Sequence, residues 1–218
     1  MSERPRILVT CFEPFGGSAV NPTMLIAHEL AQLSCAHGSR AFVTLPVIGG
    51  TEHESAWSRV LPVLNSFQPD AVVALGESAK AECLNFESVA VNLRSSRIPD
   101  NAGVQVLSMP VIADAHAELQ ATLPLALMME ASESSGVSAV LSLSAGTFLC
   151  NELMYRLLAH ASATPPRQCL AGFVHVPQLP EQALERGGPS LPASTSAHGI
   201  HAAIEALAHQ LARERVTA

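Results

Sequence analysis

Short apolar runs alternate with helix-like segments along this 218-residue chain, and this alternation limits the possible folds more than any other feature. The apolar runs predict strands, which lie at Ile7–Thr10, Ala41–Leu45, Ala71–Leu75, Ser88–Asn92, Ala139–Ser144 and Cys169–His175. The segments between them predict helices over Thr23–Leu33, His53–Ser66, Leu119–Glu133, Cys150–His160 and His198–Arg213. Strands that are apolar throughout are typical of a sheet covered on both faces. The sequence therefore predicts an α/β fold, a three-layer α/β/α sandwich with a mostly parallel central sheet.

A single domain over residues 1–218 is expected, because no linker or shift in composition divides the chain. The segment 177–196 is rich in Pro, Gly and Ser, which predicts a surface loop rather than a domain boundary. In such a parallel sheet, functional residues are expected at the carboxyl ends of the strands.

Charge and cysteine content narrow the possible functions. The formal net charge is −7 and the few Lys and Arg residues form no cluster, which argues against nucleic acid or an anionic membrane as a partner. The apolar run before Glu13 is too short for a signal peptide or a membrane span. The five cysteines form no Cys-x-x-Cys pair, so neither a metal site nor a disulfide framework is expected. We expect a cytoplasmic protein that needs no cofactor and acts on a small molecule or peptide.

Cys150 is the candidate nucleophile, since it follows a predicted strand and a turn and opens a predicted helix. Unpaired N–H groups and the helix dipole would stabilise a thiolate there. From position alone, a buried core cysteine is an equally good interpretation.

A nucleophilic cysteine also needs a base, usually a histidine oriented by a carboxylate or an amide. His175 and Glu87 are the candidates. His175 lies in an apolar strand, where an unpaired imidazole would be costly to bury, so it should have a polar partner. Taken alone, a histidine in a strand is more often structural.

Four sequence blocks resemble the pyroglutamyl peptidase I family of cysteine peptidases, also called pyrrolidone-carboxylate peptidases. Two of them, Ala-Gly-Thr-Phe-x-Cys-Asn and Gly-Phe-x-His-x-Pro, are specific motifs that contain Cys150 and His175. The blocks occur in the family's order, at residues 9–17 with 21–23, 87–92 with 97–101, 144–151 with 154–155, and 172–177 with 179–182.

The resemblance implies a catalytic triad in which Cys150 is the nucleophile, His175 the general base and acid, and Glu87 the completing carboxylate. The implied activity is removal of an N-terminal pyroglutamyl residue from a peptide through an acyl-enzyme. Family members often form dimers or tetramers, so a homo-dimer or homo-tetramer is possible here.

The resemblance also implies a substrate pocket. Phe12, Phe15, Phe148 and Leu149 match its apolar lining, and Arg97 matches a position associated with the oxyanion. From the residues alone, Phe12 and Phe15 could equally be core residues or a loop anchor, and Arg97 could form a surface salt bridge. The full set predicted to bind substrate is Phe12, Phe15, Asn21, Val47, Glu77, Arg97, Ile98, Phe148 and Leu149.

Glu77 and Cys11 depart from the family pattern, which usually has glutamine and glycine at these positions. A glutamine could both donate to and accept from a lactam, whereas an ionised glutamate only accepts. Weaker pyroglutamyl binding or a shifted preference is therefore expected, and a diverged relative that binds such ligands with weak or no turnover is the alternative function. A nucleoside-processing α/β protein is a further alternative, but the chain has no phosphate-binding signature.

Overall fold

The computed structural model describes residues 4–163 and 169–217. Of the predicted 1–218 domain, residues 1–3, 164–168 and 218 lie outside the described residues. In the described part the strands are β1 (Arg6–Phe12), β2 (Ser39–Leu45), β3 (Ala71–Glu77), β4 (Leu84–Glu87), β5 (Val89–Val91), β6 (Glu118–Gln120), β7 (Ala139–Ser142) and β8 (Leu170–Val176). The helices are α1 (Pro22–Gln32), α2 (Ala56–Phe67), α3 (Leu125–Ser134), α4 (Leu149–Ala163), α5 (Pro180–Arg186) and α6 (Ala193–Thr217).

Six strands form the central sheet in the order β2-β1-β3-β8-β4-β7. The first four run parallel to one another, while β4 pairs antiparallel with β8 and parallel with β7. The prediction of a mostly parallel sheet is confirmed. Strands β5 and β6 form a separate antiparallel pair.

Side chains alternate between two apolar cores, one on each face of the sheet. In β3, Val73 and Leu75 face a core shared with α1, α3 and α6, while Val72 and Ala74 face a core shared with α2 and α4. This alternation explains why the strand is apolar throughout, and it confirms the three-layer architecture. His175 follows Ala171 and Phe173 at a spacing of two, so it lies on the α2 and α4 face.

Two predicted helices begin later than expected. The helix predicted from His53 starts at Ala56, because Ser55 caps it by accepting a hydrogen bond from the Ser58 N–H, 3.1 Å away. The helix predicted from Leu119 starts at Leu125, after Pro124. Residues 118–120 instead form β6 against β5, and Leu123, which directly precedes Pro124, favours extended backbone, so the helix starts only after the proline.

The segment predicted as a loop, 177–196, contains α5 and the start of α6. Pro180 occupies the first turn of α5, where its missing N–H and fixed φ suit a helix. α6 begins at Ala193, five residues before the predicted start, and includes Gly199. A Cβ at Gly199 would lie 2.7 Å from Ser132 Oγ, so the glycine allows α6 to approach α3 closely. None of the helices in the described ranges is both long and apolar enough to cross a membrane.

Candidate active site

The thiol of Cys150 lies in the first turn of α4, as the sequence predicted. The strand β7 ends at Ser142, and the connecting loop turns through Gly146, whose φ of 77° favours glycine. The first hydrogen bond of the helix runs from the Glu152 N–H to the Phe148 carbonyl at 3.0 Å. The N–H groups of residues 149–151 therefore have no acceptor within the helix, and they give this turn a positive potential that stabilises a thiolate or an oxyanion.

His175 and Glu87 form a buried hydrogen-bonded pair. The Nδ1 atom of His175 lies 2.7 Å from Oε1 of Glu87, and the two residues are 8% and 1% exposed. Glu87 pairs with Phe173 across the antiparallel β4–β8 ladder, so its side chain reaches His175 diagonally. His175 lies near the carboxyl end of β8, as expected for a functional residue, whereas Glu87 ends β4, which runs antiparallel to β8. The sequence missed β4, which carries it.

Cys150 completes the line of interacting groups. Burial alone would lower the pKa of His175, but the charge of Cys150, a hydrogen bond with its thiol and the bond and charge of Glu87 together raise that pKa to about 10. The imidazole is therefore held as a cation beside the sulfur. A histidine with a bound carboxylate on one side and a thiol on the other can transfer protons to and from a reacting group.

Gly76 leaves the space in which the thiol sits. It is the register partner of His175 in the β3–β8 ladder. A Cβ on Gly76 would lie 2.9 Å from Cys150 Sγ and 2.6 Å from Cζ of Phe173. The sequence analysis did not single out this glycine, although an isolated glycine within an apolar strand often marks such a close approach.

Asn151 is a second residue that the sequence analysis did not single out. Its side chain is fully buried and makes three hydrogen bonds, accepting from the Val91 N–H and donating to the carbonyls of Val91 and Leu93 at 2.8 to 2.9 Å. These bonds fasten the first turn of α4 to β5. The available signal was a polar amide directly after Cys150 in a helix whose other face is apolar.

A cavity of about 390 Å³ opens beside Cys150. It brings together all nine residues that the sequence predicted to bind substrate, although their function stays a prediction. Its lining consists of Phe12, Phe15, Gly16, Asn21, Val47, Glu77, Ala79, Arg97, Ile98, Phe148, Leu149, Cys150 and Arg186.

Two phenylalanine rings form an apolar wall of the cavity. The centroids of Phe15 and Phe148 are 5.2 Å apart and the rings are tilted by 38°. Asn21 lines the same cavity, but its amide is already engaged, since Nδ2 donates to the Glu13 carbonyl and Oδ1 accepts from the N–H and hydroxyl of Thr23. Asn21 therefore caps α1 and fixes the loop that carries Phe15.

Three charged side chains also line the cavity. Glu77 and Arg186 form an ion pair, with Oε1 and Nη1 3.2 Å apart. Arg97 is exposed, and its guanidinium has no hydrogen-bond or ion-pair partner within residues 4–163 and 169–217. Over the same ranges, no three His, Cys, Asp or Glu side chains are grouped so that they could hold a metal ion.

A thiol at a helix N-terminus, beside a buried imidazole that a carboxylate orients, defines a cysteine hydrolase on an α/β sheet. The chain belongs to the pyroglutamyl peptidase family, whose family model matches residues 5–210. It is thus an enzyme, a cysteine peptidase of the pyroglutamyl peptidase I type.

Relatives and solved structures cover nearly the whole chain. A pyrrolidone-carboxylate peptidase from Gloeobacter violaceus is 38% identical over 204 residues, which are 93% of this chain and 96% of that protein. One from Streptomyces coelicolor is 36% identical and covers 96% and 94% of the two chains. The structure of a mutant pyrrolidone carboxyl peptidase from Pyrococcus furiosus superposes with a TM-score of 0.87 at 31% identity, covering 94% of this chain and 99% of that one. Pyroglutamyl peptidase I from Bacillus amyloliquefaciens gives a TM-score of 0.85 at 29% identity, covering 94% and 97%.

Proposed function

We propose that this peptidase removes an N-terminal pyroglutamyl residue from peptides, with Cys150, His175 and Glu87 as its catalytic residues. The observation that carries the proposal is the continuous line from the Glu87 carboxylate through His175 to the Cys150 thiol, which ends at the cavity. The names of the relatives supply the substrate class.

In the first half of the reaction, the Cys150 thiolate attacks the carbonyl carbon that joins the pyroglutamyl residue to the next residue. The negative charge that forms on the carbonyl oxygen is stabilised by the free N–H groups of the first turn of α4, and the Arg97 guanidinium adds a positive charge nearby. The His175 imidazolium then gives its proton to the leaving nitrogen. The C–N bond breaks, and the acyl group remains on sulfur as a thioester.

In the second half, neutral His175 takes a proton from a water molecule, which attacks the thioester. The C–S bond breaks, free pyroglutamate leaves, and the thiolate and imidazolium are restored. Throughout both halves, Glu87 holds the Nδ1–H of His175 at 2.7 Å and thereby keeps the other ring nitrogen directed at the reacting atoms.

The cavity fits the substrate's acyl group. A five-membered lactam has two apolar ring faces and one polar amide edge. Phe15 and Phe148, with the buried Phe12, Val47 and Leu149, supply an apolar surface for the ring faces. A charged α-amino group placed against this apolar surface would lose water without compensation.

The proposal extends to the cellular context of the enzyme. Residues 1–218 form one catalytic domain that works in the cytoplasm, where its five free thiols remain reduced. The low Lys and Arg content and the net charge of −7 support peptides, rather than nucleic acid or membrane, as partners. Assembly as a homo-dimer or homo-tetramer is part of the same proposal.

The experiment compares release of a fluorogenic amine from a pyroglutamyl amide and from a prolyl amide, which lacks the ring carbonyl. The wild type should hydrolyse the pyroglutamyl amide selectively, and the Cys150→Ala variant should lose this turnover. Cys83→Ala, which removes a half-buried thiol outside the cavity, is the matched control and should retain it. Full activity in Cys150→Ala would refute the assigned nucleophile. Binding of a pyroglutamyl peptide by folded wild type without turnover would instead favour the diverged, binding-only function.

A further inference from the structure

The polar edge of a lactam needs both a donor and an acceptor from its binding site. A lactam holds its N–H and its carbonyl side by side on one edge of the ring, because the amide within a small ring is cis. The ring carbonyl requires a donor, and the N–H requires an acceptor. Glu77 lines the cavity, but its ionised carboxylate can only accept. Asn21 is buried, one of its two amide N–H groups donates to the Glu13 carbonyl, and its oxygen accepts from Thr23, so its side chain is held as the cap of α1.

Arg186 supplies, beside Glu77, the hydrogen-bond donor that a carboxylate lacks. It is the last residue of α5 and lines the same cavity. The contact between its Nη1 atom and Oε1 of Glu77 is single rather than bidentate, so the remaining N–H groups and the second carboxylate oxygen are still available to a ligand. The Glu77 side chain is 17% exposed and that of Arg186 is 37% exposed, which places the pair at the wall and mouth of the cavity.

The helix that carries Arg186 is fixed in position. Gln182 accepts a hydrogen bond from the Leu179 N–H at 2.8 Å, while its amide nitrogen donates to the Ser18 hydroxyl and the Val20 carbonyl. These bonds tie α5 to the loop that carries Phe15. Recognition by Arg186 would therefore need little reorganisation.

Burial and Arg186 act on the Glu77 carboxyl in opposite directions. Burial is the larger influence and raises the pKa of Glu77, and the charge and hydrogen bond of Arg186 offset only part of this rise. The ion pair at 3.2 Å places a carboxylate acceptor directly beside a guanidinium donor.

We propose that Arg186 is a substrate-recognition residue: its guanidinium donates to the ring carbonyl of the pyroglutamyl group while Glu77 accepts a hydrogen bond from the ring N–H. This inference rests on the proposed function. It changes the expectation drawn from Glu77 alone, because the donor that a glutamate lacks comes from a different helix. Arg97 remains the cation assigned to the oxyanion.

The test measures kcat and KM with a pyroglutamyl amide of a neutral amine, so that charge on the leaving group plays no part. Arg186→Met should lower kcat/KM by about 10- to 100-fold, mainly through KM, because one charge-assisted hydrogen bond to the substrate is lost. Arg59→Met, which removes an exposed arginine of α2 away from the cavity, is the matched control and should change kcat/KM by less than about threefold.

The same substitution made in a Glu77→Gln background separates recognition from a structural role. Glutamine can both donate and accept, so Arg186→Met should cost less than about threefold in that background. An equal loss in both backgrounds would overturn the proposal, because it would mean that Arg186 acts by holding α5 in place.

Two small inhibitors distinguish the role of Arg186 from that of Glu77. Arg186→Met should weaken competitive inhibition by both 2-pyrrolidone and cyclopentanone, whereas Glu77→Leu should weaken inhibition by 2-pyrrolidone much more than by cyclopentanone, which has no N–H. Unchanged inhibition by both compounds in Arg186→Met would contradict the assignment. If the wild type does not turn over the pyroglutamyl amide at all, the proposed function itself fails; if the wild type turns it over and Arg186→Met equals the wild type, only this inference fails.

Discussion

Substituting Gly76 with alanine should misplace the Cys150 thiol while leaving the sheet intact. Gly76 lies in the buried strand β3, directly beside His175 in β8. The new Cβ would be 2.6 Å from Cζ of Phe173 and 2.9 Å from Cys150 Sγ, and at such distances at least one of these groups must move. Phe173 is fully buried and its ring centroid lies 4.9 Å from that of His175, so the ring has little room to move.

The size of the effect follows from these contacts. Overpacking a buried site by one methyl group typically costs about 1 to 3 kcal/mol in the free energy of unfolding. A catalytic group displaced by about 1 Å loses on the order of 100-fold in rate. The Gly76→Ala variant should therefore stay folded under native conditions, yet lose about 100-fold in kcat/KM.

The assay combines three measurements: kcat/KM with a pyroglutamyl amide, the alkylation rate of Cys150 by iodoacetamide, and urea denaturation. Gly172→Ala is the matched control, because a Cβ there would lie 2.7 Å from Cδ1 of Leu123 and would not meet the thiol. It should lose a similar amount of stability but keep kcat/KM within about threefold. Wild-type activity and thiol reactivity in Gly76→Ala would refute the argument from close packing.

Two other predictions concern the groups that support the nucleophile. Replacing Glu87 with glutamine should lower kcat by about 10²- to 10⁴-fold and move the alkaline limb of the pH–rate profile to lower pH, because the carboxylate helps to raise the pKa of His175 to about 10. Since the pKa of His175 is raised on folding, the stability gained from the imidazolium is fully present below pH 6.5 and is lost as the pH rises through about 10 in the wild type. Urea denaturation across this range should show that the variant loses this stability at lower pH. Identical profiles for the two proteins would contradict the role of Glu87. Asn151→Ala should cost about 1 to 3 kcal/mol in urea denaturation and lower kcat more than KM, because the Val91 N–H and the Leu93 carbonyl lose the partner that Asn151 supplies. An unchanged kcat would show that Asn151 does not position α4.

The layered fold could be predicted because strands buried on both faces leave long apolar runs. β3 and β8 were found for this reason. The four-residue strand β4 is too short to show a pattern, and it contains Asn85 and Glu87, which are unusual in a strand interior. Its direction depends on pairing with β8, a contact between distant parts of the chain that no local pattern records.

In the candidate site, too, a local sequence pattern indicates some residues, while others depend on contacts between distant parts of the chain. Cys150 and His175 could be named as candidates because Cys150 opens a recognisable helix, His175 lies in a recognisable strand, and both lie in motifs that resemble the family. Gly76 and Asn151 act through tertiary contacts, with the thiol and with β5 respectively. Arg186 lies on α5, a seven-residue helix within a Pro- and Gly-rich segment, where composition outweighed the capping signal of Pro180.

The central claim, that Cys150 carries the acyl group during turnover, is tested most directly by acid-quenching the reaction with a pyroglutamyl amide and locating the adduct by peptide mass spectrometry. The account predicts a mass increase equal to one pyroglutamyl group on the peptide that contains Cys150, sensitive to hydroxylamine as a thioester should be. Turnover without this adduct under single-turnover sampling, or an adduct on another cysteine such as Cys11, would contradict it.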